Sequence, residues 1–129
     1  MIRILLDTHV LLWWWTDDPG LSALARNSIA DGTSEVFVSA ASAWEIATLG
    51  RLGRLDHAPD ATRRFHELVA ADEFRHLAIT YTHCLRAGAY TVEHRDPFDR
   101  MLAAQSEMES LTLVTKDRAF GQFGTTVIW

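Results

Sequence analysis

Short apolar runs alternate with helically spaced segments along this chain, and most of the runs break off at an acid or a hydroxyl residue. Ile2 to Leu6 is too short for a helix and ends at Asp7-Thr8, a helix-starting pair, so it reads as a buried strand. Val10 to Trp15 predicts a helical turn or two before the breaker Asp17-Asp18-Pro19-Gly20. Leu21 to Ala30 has helical spacing and stops at Asp31-Gly32. Glu35 to Val38 is a second strand, after which Ser39 or Ser42 caps a helix reaching about Gly50. A helix from Asp60 or Ala61 to Ala71, a short strand from His76 to Ile79 and a helix capped by Thr80 or Thr82 and ending near Gly88 come next. Leu111 to Thr115 and Thr126 to Ile128 complete the strands, with Lys116-Asp117-Arg118 as a loop. Strands alternating with helices predict an α/β fold around a mostly parallel sheet.

Asp96-Pro97-Phe98-Asp99 is the sharpest local signal. It combines an N-cap Asp, a Pro at the first helical position and an acid at the third, and it opens a helix running to about Glu109. In open α/β sheets ligands bind outside the carboxyl ends of the strands. Asp7 follows the first strand directly, and Asp117 lies two residues past Thr115. Glu45 falls early in the helix after the second strand, and Asp99 in the first turn after Asp96-Pro97. All four acids can therefore share one sheet edge.

Ordinary roles compete at each position. Asp7 and Asp96 can cap helices, Asp99 can favour a helix dipole, and Asp117 can serve a turn. Glu45 has the least local explanation, because it stands among Ala43, Trp44, Ile46 and Ala47, where a buried charge needs a partner. If the acids converge, they cannot all stay ionised without a cation or raised pKa values. Oxygen-only ligands favour Mg²⁺, with Mn²⁺ able to substitute. Asp7, Asp99 and Asp117 are the candidate metal ligands, and with Glu45 they form the candidate catalytic set. Thr8, Ser39, Asp96 and Thr115 are candidates for orienting waters or carboxylates around them. An ion so held activates water for attack on a phosphodiester.

At 129 residues, with 48% hydrophobic, a single domain spanning residues 1–129 with a real core is expected. The net charge of −5 is unlike a simple nucleic-acid binder, so an RNA-directed function requires metal to offset the local acids. Arg51 and Arg54, in a Gly-containing turn, and Lys116 and Arg118, around Asp117, are candidate RNA contacts or merely solvated charges. His9 and His94 border the acids in sequence and are expected to be solvated or hydrogen-bonding. The six His residues lack zinc-site spacing. Trp13-Trp14-Trp15 is too continuous for one helix face, so at least one ring is expected at the surface or an interface. A lone Cys84, no run of about 18 apolar residues and no signal-like start predict a cytoplasmic protein off the membrane.

Four segments together resemble the PIN-domain ribonucleases, and within them the VapC-type toxins of toxin–antitoxin pairs. Leu5-Leu6-Asp7-Thr8-His9-Val10-Leu11-Leu12-Trp13 is similar to the family's first strand and acid, and Ser39-Ala-Ala-Ser42-Ala-Trp44-Glu45-Ile46 to the segment bearing the second. His94-Arg95-Asp96-Pro97-Phe98-Asp99-Arg100-Met101-Leu102-Ala103-Ala104-Gln105 resembles the third motif, with Asp99 at the main catalytic acid and Asp96 at a subgroup acid. Thr115-Lys116-Asp117-Arg118-Ala119-Phe120 resembles the last. The resemblance implies a PIN-like three-layer α/β/α fold and Mg²⁺- or Mn²⁺-dependent endonucleolytic cleavage of RNA. It also implies a homodimer and a cognate antitoxin that blocks the site. Two rivals remain. A phosphatase or receiver-like phosphoryl domain fits poorly, since His9 stands where the phosphatase has a second Asp and Ser39 follows Val38 where the receiver has its phosphorylated Asp. A non-catalytic metal- or RNA-binding module is the other.

Overall fold

The computed structural model describes residues 2–55 and 57–129. Its sheet is built from β1 (Arg3–Leu6), β2 (Glu35–Ser39), β3 (Arg75–Leu77), β4 (Thr112–Val114) and β5 (Val127–Ile128), ordered β3-β2-β1-β4-β5. Every pairing is parallel, with Leu5 level with Phe37 on one side and Leu113 on the other. The sheet is thus wholly rather than mostly parallel among the described residues. Parallel pairing demands a crossover after each strand, and helices covering both faces explain why the strand runs read as continuously apolar.

The period-two alternation of side chains sorts the core into two layers. Ile4, Leu6, Val36, Val38 and Val114 face one side. There they pack with residues of α1 (Thr8–Thr16), α2 (Ala23–Ala30), α3 (Ala40–Arg51) and α4 (Phe65–Ala71). Leu5, Phe37 and Leu113 face the other side, against α5 (Tyr81–Ala89), α6 (Pro97–Met108) and a 3₁₀ turn over Arg118–Phe123. The three-layer α/β/α arrangement follows directly.

Local chemistry places the helix starts. Of the two candidate caps for α3, Ser39 is the one used, accepting from the Ala41 N–H. Thr80 caps α5, and Asp96 caps α6 with Pro97 at the first helical position. α4 starts later than expected, at Phe65: residues 60–64 form turns instead, and the Thr62 hydroxyl is drawn to the Ile46 carbonyl. The stretch from Arg118 also winds into a 3₁₀ turn where only a loop was expected, started by Asp117 and ended by Gly124 at φ 73°. The three tryptophans are all half-buried, so none stands fully exposed. Trp14 and Trp15 both donate to Asp72 Oδ2, at 3.2 and 3.0 Å, while Trp13 tilts against Trp129.

The α5–α6 loop is held by one side chain. The Arg100 guanidinium donates to the carbonyls of Ala87, Val92 and His94 at 2.9 Å and of Tyr90 at 2.6 Å. Its planar fork satisfies four acceptors at once, which a lysine ammonium cannot do. Arg100→Lys should lower unfolding stability by about 2 kcal/mol or more in urea titrations, since charged hydrogen bonds each contribute roughly 1.5–3 kcal/mol and an ammonium with three donors loses at least one.

Candidate active site

After β1 the chain moves outward to β2 and β3, then returns past β1 to form β4 and β5 on its other side. The carboxyl ends of β1 and β4 therefore flank the point where strand order reverses, the usual position of a site in such sheets. Asp7 leaves β1 there and Thr115-Lys116-Asp117 leaves β4. One threonine joins the two. The Thr115 hydroxyl donates to Asp7 Oδ2 at 2.6 Å and accepts from the Asp117 N–H at 3.0 Å.

The competing roles of the acids separate here. Asp7 occupies the N-cap position of α1 but makes no capping bond, and its carboxylate lines the cleft, bonded to Thr115. Asp96 does cap α6, its Oδ1 accepting from the N–H groups of Phe98 and Asp99 at 2.9 and 3.4 Å. Asp99 caps nothing; its Oδ2 lies 2.9 Å from His94 Nε2. Asp117 is exposed and accepts from the Ala119 N–H at 2.9 Å, so its turn role is real and coexists with a place on the cleft wall. Glu45, on α3, is 9% exposed, and its Oε1 is buried without a hydrogen-bond partner. Asp7, Glu45, Asp96, Asp99 and Asp117 line a single cleft of about 380 Å³, together with His9, Val10, Trp13 and Lys116.

Burial and mutual repulsion raise the carboxyl pKa values. Burial pushes Asp7 up, against the lowering effect of the Thr115 hydrogen bond. Glu45 is raised by burial and then by Asp96 and Asp7, with the neighbouring Thr8 hydroxyl opposing. Asp99 is pushed up to about 6, first by burial and then by Asp96 and Asp7, although His94 pulls the other way. Groups raised by desolvation and like charge in a cleft are the pattern by which a candidate functional site is recognised.

Among the described residues, no three His, Cys, Asp or Glu side chains stand close enough to hold a metal ion in their present conformations. Asp7 is turned to Thr115 and Asp99 to His94 instead. The donor set nevertheless suits a hard cation: it is all oxygen, electrostatically strained, and leaves one buried carboxylate oxygen without a partner.

Other expected residues divide. Thr115 bonds the Asp7 carboxylate, and Thr8 lies beside Glu45 while hydrogen-bonded to Ser42 at 2.9 Å. Ser39 does not point to the acids. Its hydroxyl donates to the fully buried Gln105 at 2.5 Å, and Gln105 in turn donates to the Ala78 carbonyl, which ties α6 to β2. Lys116 lines the cleft with its Nζ 5.8 Å from the Trp13 ring centroid. Arg51 and Arg118 are exposed and lie off the cleft wall, whereas Arg54 lines an adjoining hollow. The imidazole of His94 was expected to be solvated or hydrogen-bonding; its specific hold on Asp99 had no signal beyond a spacing of five residues.

The raised carboxyls fix the sign of a pH effect. Below pH 4 the Asp99 carboxyl is protonated folded or unfolded; above about 6 the folded chain must carry a charge that the unfolded chain carries more readily. Stability without metal should therefore fall as pH rises from 5 to 7.5, by about 1–2 kcal/mol in urea unfolding with EDTA. Asp99→Asn should flatten that dependence and leave the protein at least as stable at pH 7.5; a large loss of stability would show that Asp99 holds the helix instead.

Comparison with known proteins agrees with this layout. A family model described as the PIN domain matches residues 4–125. Ribonuclease VapC22 of Mycobacterium tuberculosis is 31% identical over 119 residues, covering 92% of this chain and 89% of that protein. Among solved structures, VapBC2 from Rickettsia felis bound to a DNA fragment from its promoter superposes with a TM-score of 0.69 at 13% identity, covering 99% of this chain and 98% of its own. FitAcB from Neisseria gonorrhoeae does so with a TM-score of 0.63 at 20% identity, covering 98% and 96%. These distant structures share the fold, and the sequence match runs from the first strand to the turn before the last: the chain belongs to the PIN domain family.

Proposed function

We propose that this chain is a divalent-metal-dependent endoribonuclease acting as the toxin of a toxin–antitoxin pair. The observation that carries the reading is the buried, unpartnered Glu45 Oε1 within a cleft of five carboxylates at the strand-order reversal. The 31% identity to a named ribonuclease supports the substrate class.

Asp7, Asp99 and Asp117 would hold the ion, Mg²⁺ or Mn²⁺, with Glu45 facing it. When bound, such an ion supplies Lewis acidity, activating water for in-line attack and offsetting charge on the phosphoryl oxygens. The chain's own groups do the rest. Thr115 donates to the Asp7 carboxylate and His94 partners that of Asp99, which relieves the charge of both acids at the cleft. Lys116 brings positive charge to the phosphate at a cleft that otherwise repels it. Glu45, raised by burial, accepts the proton of the attacking water at Oε1.

The 129 residues act as one nuclease unit in the cytoplasm, and no helix among the described residues is long and apolar enough to cross a membrane. A cognate antitoxin occupies the acidic cleft and silences it. A homodimer is supported by the solvent side of α5, where Tyr81 and Leu85, one turn apart, are 77% and 68% exposed, and by the neighbouring Trp44 at 62%.

Purified, antitoxin-free protein should cut single-stranded RNA with Mg²⁺ or Mn²⁺ and stop in EDTA. Asp7→Asn and Glu45→Gln should each lose about a hundredfold or more in rate, the general-base contribution alone being roughly 10²–10⁴. Cleavage indifferent to EDTA or to both substitutions would refute the metal–carboxylate reading, and metal binding without cleavage would favour a binding module. Leu85→Asp should shift the protein from dimer to monomer in light scattering without altering its far-UV spectrum.

A further inference from the structure

The acidic cleft does not end at Trp13. His9 and Trp13 also line a second hollow of about 160 Å³, walled by Leu12, Leu55, Arg54 and His57. His57 and Thr16 then line a third, of about 200 Å³, along the same face of α1. Shared residues make these one groove leading away from the acids. A 150 Å³ apolar cavity holds benzene, so each hollow has room for about one base or ribose.

Arg54 is placed there by a specific turn. α3 closes with Gly53 at φ 70°; the Arg54 N–H donates to the Leu49 carbonyl at 2.8 Å and the Gly53 N–H to that of Gly50 at 3.1 Å. This double bond pattern needs the left-handed residue and sets the direction in which the chain leaves the helix. Arg54 forms no ion pair with any other described residue. Among the described residues, the one acid lining the second hollow, Asp18, already accepts from the Gly20 N–H at 2.7 Å.

The opposite side of the cleft differs in polarity. Beyond Asp96 lies a hollow lined by Trp44, Phe98, Met101 and Cys84, whose charged residue, Arg100, is committed to four backbone carbonyls. Among the described residues, that hollow presents no uncommitted cation to a phosphate backbone. We infer that single-stranded RNA leaves the scissile position on one side only, along α1, with Arg54 and His57 contacting its phosphates and Leu12, Trp13 and Leu55 its bases or sugars. Cation plus apolar wall is the combination that tracks a single strand without reading its sequence.

This inference rests on RNA being the substrate, and binding can be tested apart from cleavage. Fluorescence anisotropy of an end-labelled single-stranded RNA of about 12 nucleotides, within the span of known single-strand sites, would be followed in EDTA across a salt series. Arg54→Ala should weaken binding about tenfold and lower the salt slope by about one. The charge-matched control Arg75→Ala, on the far edge strand, should change neither. Equal losses in both variants, or none in Arg54→Ala, overturn the groove. Cleavage of the same RNA with Mn²⁺ is scored separately: Arg54-dependent binding without cleavage would sink the nuclease reading and leave the groove standing.

Discussion

Carboxylates held where water barely enters repel one another, and a pair about 4 Å apart at an effective dielectric near 20 costs roughly 4 kcal/mol. A domain whose whole margin is about 5–15 kcal/mol cannot carry several such pairs unrelieved. In this chain the relief is shared. Thr115 donates to Asp7, His94 partners Asp99, Asp96 spends one oxygen on two helical N–H groups, and Lys116 and His9 border the cleft. What remains is a set of carboxyls with raised pKa values and one orphan oxygen on Glu45, and it is this remainder that an entering cation would relieve.

Holding that arrangement requires rigid supports on both sides of the sheet. The Ser39–Gln105–Ala78 chain of hydrogen bonds fixes α6 against β2, while Arg100 fixes the loop that delivers His94 and Asp96. None of these groups touches the cleft interior. Their bonds are buried or half-buried, where an unmet partner is costly, so they help to hold the backbone that carries the acids.

Features with local causes were readable from the sequence. The cap at Asp96, the Pro at the first helical position and the strand ends at Asp7 and Asp117 each follow from rules spanning a few residues, and the parallel topology then gathers them at one edge. The isolation of Glu45 was also legible, because nothing nearby in sequence accounts for a buried charge. What escaped notice depends on distant partners. Ser39 was expected to serve the acids, but a glutamine 66 residues away takes its hydroxyl. Arg100 looked like any helical arginine until the loop folded over it, and the tryptophan rings are half-covered by Asp72, Phe65, Phe74 and Trp129, all far along the chain.

The hydrogen bond between Thr115 and Asp7 links residues 108 apart, and it lies at the centre of the sheet. During synthesis β1 emerges well before its partner β4, so while the residues between them are made the strand that carries Asp7 lacks its neighbour. Loop closure over so long a stretch comes late, after the α1–α4 layer has its own apolar contacts to collapse around. A chain released before β4 keeps Asp7, Glu45 and Asp99 but has neither the threonine that orients the first nor Asp117 beside it. Assembly of the cleft is thereby coupled to the arrival of β4, and products terminated before it carry most of the acids in an unfinished site.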